Sequence, residues 1–399
     1  MSFKLVGNPF RCVCGRVALK AYLQTSSLHS STPLLWRIPT NFLSKADHHA
    51  SFIRHVSTHH DGSNIQTLYR ERSIIDPYQL VSKELKTICI DIKQELKTNV
   101  DLLKEISHYH FDGNGKAFRP MIILLLAKAL NLHQSTESDG EILSDQKKIA
   151  QIAEMIHVAS LMHDDVIDAS ETRRGKSSVH FKWGQLNAIL VGDFILSKAS
   201  KALAKLKNIE VIVVLAQVIE DLVKGEFMQL GSKEDEDQRF AHYLQKTYKK
   251  TASLIANSCK AVAILSGADE EDSQLAYLYG RHVGIAFQLI DDLLDFISNT
   301  ELMGKPTAAD LKLGLATGPV LFAAQKFPDL NTLIMRRFKE EGDVDQAWNY
   351  VKQSDGIQQT RLLAENHCCQ AINQIKQLKP SMAREALISI THMVLDRKK

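Results

Sequence analysis

The sequence predicts an all-α fold: a single large domain in which long helices surround a central cavity. Three observations lead there. From residue 77 onward, apolar residues recur at spacings of three and four through nearly every segment. Proline, nine in 399 residues, is almost absent from those segments. No run alternates apolar and polar residues convincingly enough to read as a strand.

The helical spacing holds over residues 78–103, 120–132, 146–168, 187–206, 209–230, 240–265, 270–296, 318–327 and 362–396. The first begins after Pro77. The second is entered through Pro120, whose fixed φ suits a first helical turn. Segments 146–168 and 270–296 are too apolar in their later turns for surface helices and are expected inside. Polar breaks fall at 133–145, 169–178, 231–238 and 298–316. The stretches 134–145 and 233–237 read as exposed variable loops. The 169–178 and 298–316 breaks each follow an acidic motif and are expected to form a lid over substrate. No repeat period appears apart from that paired motif.

The motif is Asp164-Asp165-Val-Ile-Asp168, matched later by Asp291-Asp292-Leu-Leu-Asp295. On a helix, residues i, i+1 and i+4 lie toward one face, so each triplet points its carboxylates one way. Crowded carboxylates beside an apolar core are costly unless a cation sits among them. Hard Mg²⁺ prefers a few carboxylates together with water and phosphate oxygens. Two facing triplets therefore suggest several Mg²⁺ ions around a diphosphate; the alternative is two solvated acidic helix ends.

Basic motifs supply the counterpart. Gly113-Asn-Gly-Lys-Ala-Phe-Arg-Pro120 puts Lys116 and Arg119 at a Gly-rich turn before a helix N-terminus, where anions are favoured. Arg173-Arg174-Gly175-Lys176 follows the first triplet, and guanidinium matches phosphate bidentately. Lys249-Lys250-Thr251 interrupts a helical pattern, and Lys305 and Lys312 follow the second triplet. His157 lies two turns before Asp164, Gln288 lies three residues before Asp291, and His163 reads as structural. Taken singly, each has a bland reading, as an exposed cation or an ordinary buried polar side chain.

Together these residues resemble the trans-prenyl diphosphate synthases. The family pattern is a Gly-Lys-x-x-Arg-Pro turn, a first Asp-Asp-x-x-Asp, Arg-Arg-Gly, Lys-Thr, and Phe-Gln-x-x-Asp-Asp-x-x-Asp. All five stand here in family order, with Gly192-Asp193, Gly225-Glu226 with Gln229, and Gly304-Lys305-Pro306 besides. The resemblance runs from about Tyr78 to the C-terminus. It is nearest to catalytic subunits that work beside a second, degenerate homologue.

The resemblance implies the isoprenoid synthase type of fold and a Mg²⁺-dependent prenyltransferase. The reaction would add isopentenyl diphosphate head-to-tail to an allylic diphosphate, farnesyl or geranylgeranyl. The product would be a long all-trans chain of about nine or ten units for the ubiquinone side chain. Asp164, Asp165, Asp168, Asp291 and Asp292 would bind metal, with Asp295 nearby. Arg173, Lys250, Thr251, Gln288 and Lys305 would hold the allylic diphosphate. Lys116, Arg119, His157 and Arg174 would hold isopentenyl diphosphate. Ala159 and Ser160, about one turn before Asp164, would leave open the tunnel for the growing chain. One departure stands out: many relatives carry a Lys near Leu315, and here either Lys312 replaces it or the site has one cation fewer. A class I terpene cyclase would lack the second diphosphate site and the second Asp triplet. A non-catalytic partner subunit would have eroded triplets, and both are intact here.

Residues 1–60 differ in kind. They hold seven Lys/Arg, one acid (Asp47) and twelve Ser/Thr, the composition of a mitochondrial transit peptide directing residues 61–399 to the matrix. The alternative is a disordered basic tail. Without them, 49 basic and 46 acidic residues become 42 and 45, a net charge of −3, which argues against a nucleic-acid partner. No transmembrane segment is expected, though peripheral membrane contact for product release is. Six scattered Cys form no disulfide framework. At least a dimer is expected, with a homologous second subunit in a hetero-oligomer.

Overall fold

The structure is a computed structural model. It describes residues 75–113, 115, 117–135, 140–230, 236–297 and 308–397. The leader, Lys116, Lys305 and most of the 298–316 loop lie outside the described residues.

The chain starts with α1 (Pro77–Leu80), α2 (Ser82–Glu95) and α3 (Asp101–His108). The Asp76 side chain caps α1 by accepting from the Tyr78 amide at 3.0 Å, and Pro77 fills the first turn. The single helix expected over 78–103 is thus three. It breaks near Thr98-Asn99, where the Thr98 hydroxyl accepts from the Val100 amide at 3.3 Å. Short polar side chains of this kind compete with helical hydrogen bonds.

Next come α4 (Phe118–Gln134) and α5 (Ser144–Ile167), which ends in the first triplet. A two-residue hairpin, β1 (Thr172–Arg173) and β2 (Lys176–Ser177), then interrupts the loop where no strand was expected. Arg174 and Gly175 both have positive φ, as a two-residue turn of mirror-image type requires. Then follow α6 (Val179–Trp183), α7 (Gln185–Lys205), α8 (Ile209–Leu230) and α9 (Glu236–Thr247). A π-helical turn over Tyr248–Ala252 leads into α10 (Ser253–Leu265). The second long apolar helix, α11 (Glu270–Ile297), carries the second triplet. The C-terminal part comprises α12 (Ala309–Lys312), α13 (Gly318–Lys326), α14 (Leu330–Met335), α15 (Asp343–Gln353), α16 (Gly356–Ile375) and α17 (Met382–Leu395). The helix expected over 362–396 is two, because Pro380 cannot continue a helix and Ser381 caps the next one.

At the centre stands α10, buried on nearly all sides and packed by α4, α5, α8 and α11. Small residues allow that closeness. A Cβ on Gly284 would lie 2.6 Å from Ala252 Cα, and one on Gly280 would lie 2.8 Å from Ala256 Cα. Gly225 plays the same part on α8, where a Cβ would lie 2.7 Å from Lys250 Cγ. A Cβ on Gly192 of α7 would collide with His163 on α5. His163 hydrogen-bonds the Ile189 carbonyl at 3.2 Å across that contact, the structural role expected for it. The four described cysteines are free. Among the described residues, no helix is long and apolar enough to cross a membrane.

Candidate active site

Two long helices, α5 and α11, end close to the π turn and to the last turns of α8. That junction gathers the acidic and basic motifs. Asp164 is pushed up to about 6 by burial, opposed by Lys250 and reinforced by Glu226 and Asp168. Asp168 is raised for the same reasons. Fully buried Asp165 is bound by Arg173 through Oδ1, at 2.8 Å from Nε and 2.5 Å from a terminal nitrogen. Its Oδ2 is buried with no hydrogen-bond partner, as is Glu226 Oε1.

In the second triplet, Asp291 is likewise raised to about 6 by burial, and Arg397 pairs with it at 2.8 Å. Asp292 anchors a chain of hydrogen bonds. The Thr251 hydroxyl donates to Gln288 Oε1 (2.7 Å), Gln288 Nε2 donates to Asp292 Oδ1 (2.8 Å), and the Tyr243 hydroxyl donates to Asp292 Oδ2 (2.5 Å). Asp295 accepts the Ala309 and Asp310 amides, both at 3.1 Å, and so anchors the first turn of α12. Asp310, beside it, is raised to about 7 by burial and by Asp292 and Asp295.

The site suits a hard divalent cation held with its water and phosphate ligands. The donors are all carboxylate oxygens, two lie orphaned and buried, and the Asp164 and Asp168 carboxylates accept no hydrogen bond among the described residues. No three of the described His, Cys, Asp and Glu side chains converge tightly enough to enclose a cation on their own.

The cations divide into two groups. The hairpin turn sends its arginines apart: Arg173 to Asp165, Arg174 to His157 Nε2 at 3.3 Å. Arg119, from the first turn of α4, reaches the same nitrogen at 2.9 Å. Two guanidinium donors need an acceptor, so His157 is neutral and carries its proton on Nδ1. Burial and the neighbouring arginines hold its pKa well below the ordinary value. Glu154, one turn earlier on α5 and raised by burial, balances Arg119 and Arg174. Gly115 touches Arg174, where a Cβ would lie 3.0 Å from its guanidinium, so the Gly-rich turn and the hairpin close on one another. The second group is on the π turn. Lys250 pairs with Glu226 at 2.6 Å and donates to Gln229 at 3.1 Å, while Lys249 turns away to Asp221 at 2.7 Å.

The structure thus brings together Arg119, His157, Arg173, Arg174, Lys250, Thr251, Gln288 and both triplets. Lys116 and Lys305 lie outside the described residues. Ala159 is fully buried in α5, and Ser160, partly buried, donates to the His157 carbonyl at 2.9 Å. Sequence reasoning left Tyr243, Lys246, Glu154, Asp310 and Arg397 out of the site. Glu226 was flagged by its Gly225-Glu226 pair. Glu154, one turn before His157, and Asp310, which opens the stretch ending at Leu315, also stand in segments the sequence marked; Tyr243, Lys246 and Arg397 carry no such signal, because long-range folding brings them there.

A bundle with two Asp triplets facing two sets of cations defines an isoprenoid-chain synthase, and the chain belongs to the polyprenyl synthetase family, whose pattern matches residues 100–351. Its class is prenyltransferase. The chain is 57% identical over 341 residues to the Homo sapiens all trans-polyprenyl-diphosphate synthase PDSS1, covering 86% of this chain and 81% of that one. A probable hexaprenyl pyrophosphate synthase, mitochondrial, of Neurospora crassa is 42% identical over 369 residues, covering 82% of each. Decaprenyl-diphosphate synthase subunit 1 of Schizosaccharomyces pombe is 42% identical over 343 residues, covering 80% of this chain and 91% of that one. The crystal structure of a polyprenyl synthase from Caulobacter crescentus, complexed with calcium and isoprenyl diphosphate, superposes with a TM-score of 0.71. It is 29% identical, covering 81% of this chain and 97% of that one.

Proposed function

We propose that this chain is a Mg²⁺-dependent trans-polyprenyl diphosphate synthase. It adds isopentenyl diphosphate head-to-tail to farnesyl or geranylgeranyl diphosphate and makes a long all-trans chain for the ubiquinone side chain. The observation that carries this reading is the pair of separate cation clusters. Arg119 and Arg174 meet on His157, whereas Arg173 and Lys250 lie with Asp165 and Glu226. A cyclase acting on one diphosphate needs only one such cluster.

Arg173 and Lys250, with Thr251, Gln288 and Lys305, hold the allylic diphosphate and stabilise the charge that grows on it as its C–O bond breaks. Carboxylates of the two triplets would hold Mg²⁺, which would supply further charge stabilisation to the leaving diphosphate. Arg119, Arg174 and Lys116 hold isopentenyl diphosphate with its double bond toward the allylic carbon. The double bond's electrons form the new C–C bond. A proton then leaves the adjacent carbon for the released diphosphate, which restores a double bond. The apolar walls of α5 and α11 keep water from the cation. Ala159 and Ser160 leave room for the tail.

The protein would work in the mitochondrial matrix after removal of residues 1–60; the acid-poor leader and the Neurospora crassa relative, named mitochondrial, support the mitochondrial location. A hetero-oligomer with a homologous second subunit is supported by the likeness to a synthase named as a subunit. An exposed seam on α8 also supports it. Ile209, Val213, Ala216, Glu220, Val223 and Phe227 recur at spacings of four and three, the rhythm of helix-to-helix packing, and Ile209 and Phe227 are 79% and 71% exposed. The experiment that tests the reading is substitution of each triplet. Asp164→Asn or Asp291→Asn should cut turnover about a thousandfold or more while the circular dichroism spectrum persists, since a ligand of a catalytic metal supplies several kcal/mol. Near-normal turnover in either variant would remove that triplet from the site.

A further inference from the structure

A hollow beside the π turn is lined by Gln229, Tyr243, Lys246, Leu315 and Arg337 among others. Lys246, in the last turn of α9, is partly buried there. Among the described residues its ammonium has no ion pair or hydrogen bond; its only contact of note is the Tyr243 ring, 5.8 Å away. The acids that act on it are Asp292, Asp310 and Glu226. Asp292 is already bound by Tyr243 and Gln288, Glu226 is paired with Lys250, and no ion pair or hydrogen bond joins Asp310 to Lys246 among the described residues. The arginines of the hollow are engaged as well: Arg239 with Asn331 at 2.6 Å and Arg337 with the Gln229 carbonyl at 3.0 Å. Taking an ammonium from water without a partner is costly, and the cost is recovered when an anion arrives.

The placement names the anion. Gln229 lines this hollow together with Lys246 and also accepts from Lys250, four residues further on, so one side chain joins the hollow to Lys250. Lys250 belongs to the allylic diphosphate site. Leu315, where many relatives of this family have a lysine, is on the wall of the same hollow. Lys312, the replacement the sequence suggested, is solvent-exposed on α12.

We propose that Lys246 is a diphosphate-binding cation of the allylic site, reaching from α9 the place a lysine at position 315 would serve. This rests on the prenyl-synthase reading. Wild-type turnover of the two substrates tests that reading separately, so variants at Lys246 bear on this proposal alone. The test uses the full protein with Mg²⁺ and inorganic diphosphate in calorimetry, alongside steady-state kinetics. Lys246→Gln should weaken diphosphate binding and raise the allylic KM about tenfold, the size of one lost charged contact, with the isopentenyl KM unchanged. Adding Leu315→Lys to that variant should restore most of the loss. Lys246→Met, which keeps the apolar stem, should behave alike and serves where the Gln variant folds poorly. Unchanged diphosphate affinity overturns the proposal. So does a loss confined to isopentenyl diphosphate, or one that Leu315→Lys leaves uncorrected.

Discussion

His157 accepts from two guanidinium groups, and that double duty fixes the geometry of the pocket proposed for isopentenyl diphosphate. Removing one donor leaves the other in place, so Arg119→Ala should raise the KM for isopentenyl diphosphate ten- to a hundredfold and leave the allylic KM nearly unchanged. The reverse pattern in initial-rate kinetics would show that the two pockets are exchanged. A second, partly buried histidine contributes to acid sensitivity. His282 Nδ1 meets His367 Nδ1 at 2.9 Å between α11 and α16, and burial, helped by Arg281, lowers its pKa to about 4 from an ordinary 6.5. Between those values the unfolded chain binds a proton that the folded chain does not. Its contribution is therefore intact above pH 6.5 and is lost as the pH falls toward 4. His282→Gln should flatten that acid limb in thermal melts while changing little at pH 7.5; a parallel profile would contradict this.

The elements that position the site are those whose sequence breaks a pattern. The π turn at Tyr248–Ala252 sends Lys249 and Lys250 to different carboxylates, and the Arg174-Gly175 turn sends its two arginines to different partners, Asp165 and His157. The triplets and their helices were legible because i, i+1 and i+4 spacing is local and the apolar runs before them are long. The hairpin was not, since two residues per strand cannot display alternation. Nor were α14 and α15, short helices that no motif marks. Pro380 did mark a break inside the expected 362–396 helix, and a stricter reading of proline would have split it. Tyr243 and Arg397 join the site through contacts with Asp292 and Asp291 far away in the chain, which no local spacing encodes. At this scale α5 offers a direct test. If the tail runs past Ala159, Ala159→Phe should stay active and stop at products of about three or four units, because the ring blocks the helix a little over one turn, about 7.5 Å, below Asp164. If the position only packs, overpacking should lower stability by about 1–3 kcal/mol with no change in chain length. Chromatography of the products and a thermal melt separate the two.

For the whole molecule, the heptad-like seam on α8 ends at Phe227, beside Glu226 of the site, so a partner helix on that face would sit next to the chemistry. Chain length and partner dependence thus converge on one assay. The purified protein, alone and co-expressed with the proposed homologous second subunit, is given farnesyl diphosphate, isopentenyl diphosphate and Mg²⁺, and the products are weighed by mass spectrometry. The account predicts linear all-trans diphosphates extending by whole isoprene units to about nine or ten, appearing only with both substrates and metal present. Cyclised hydrocarbons made from the allylic substrate alone, or no elongation with the partner supplied, would contradict it.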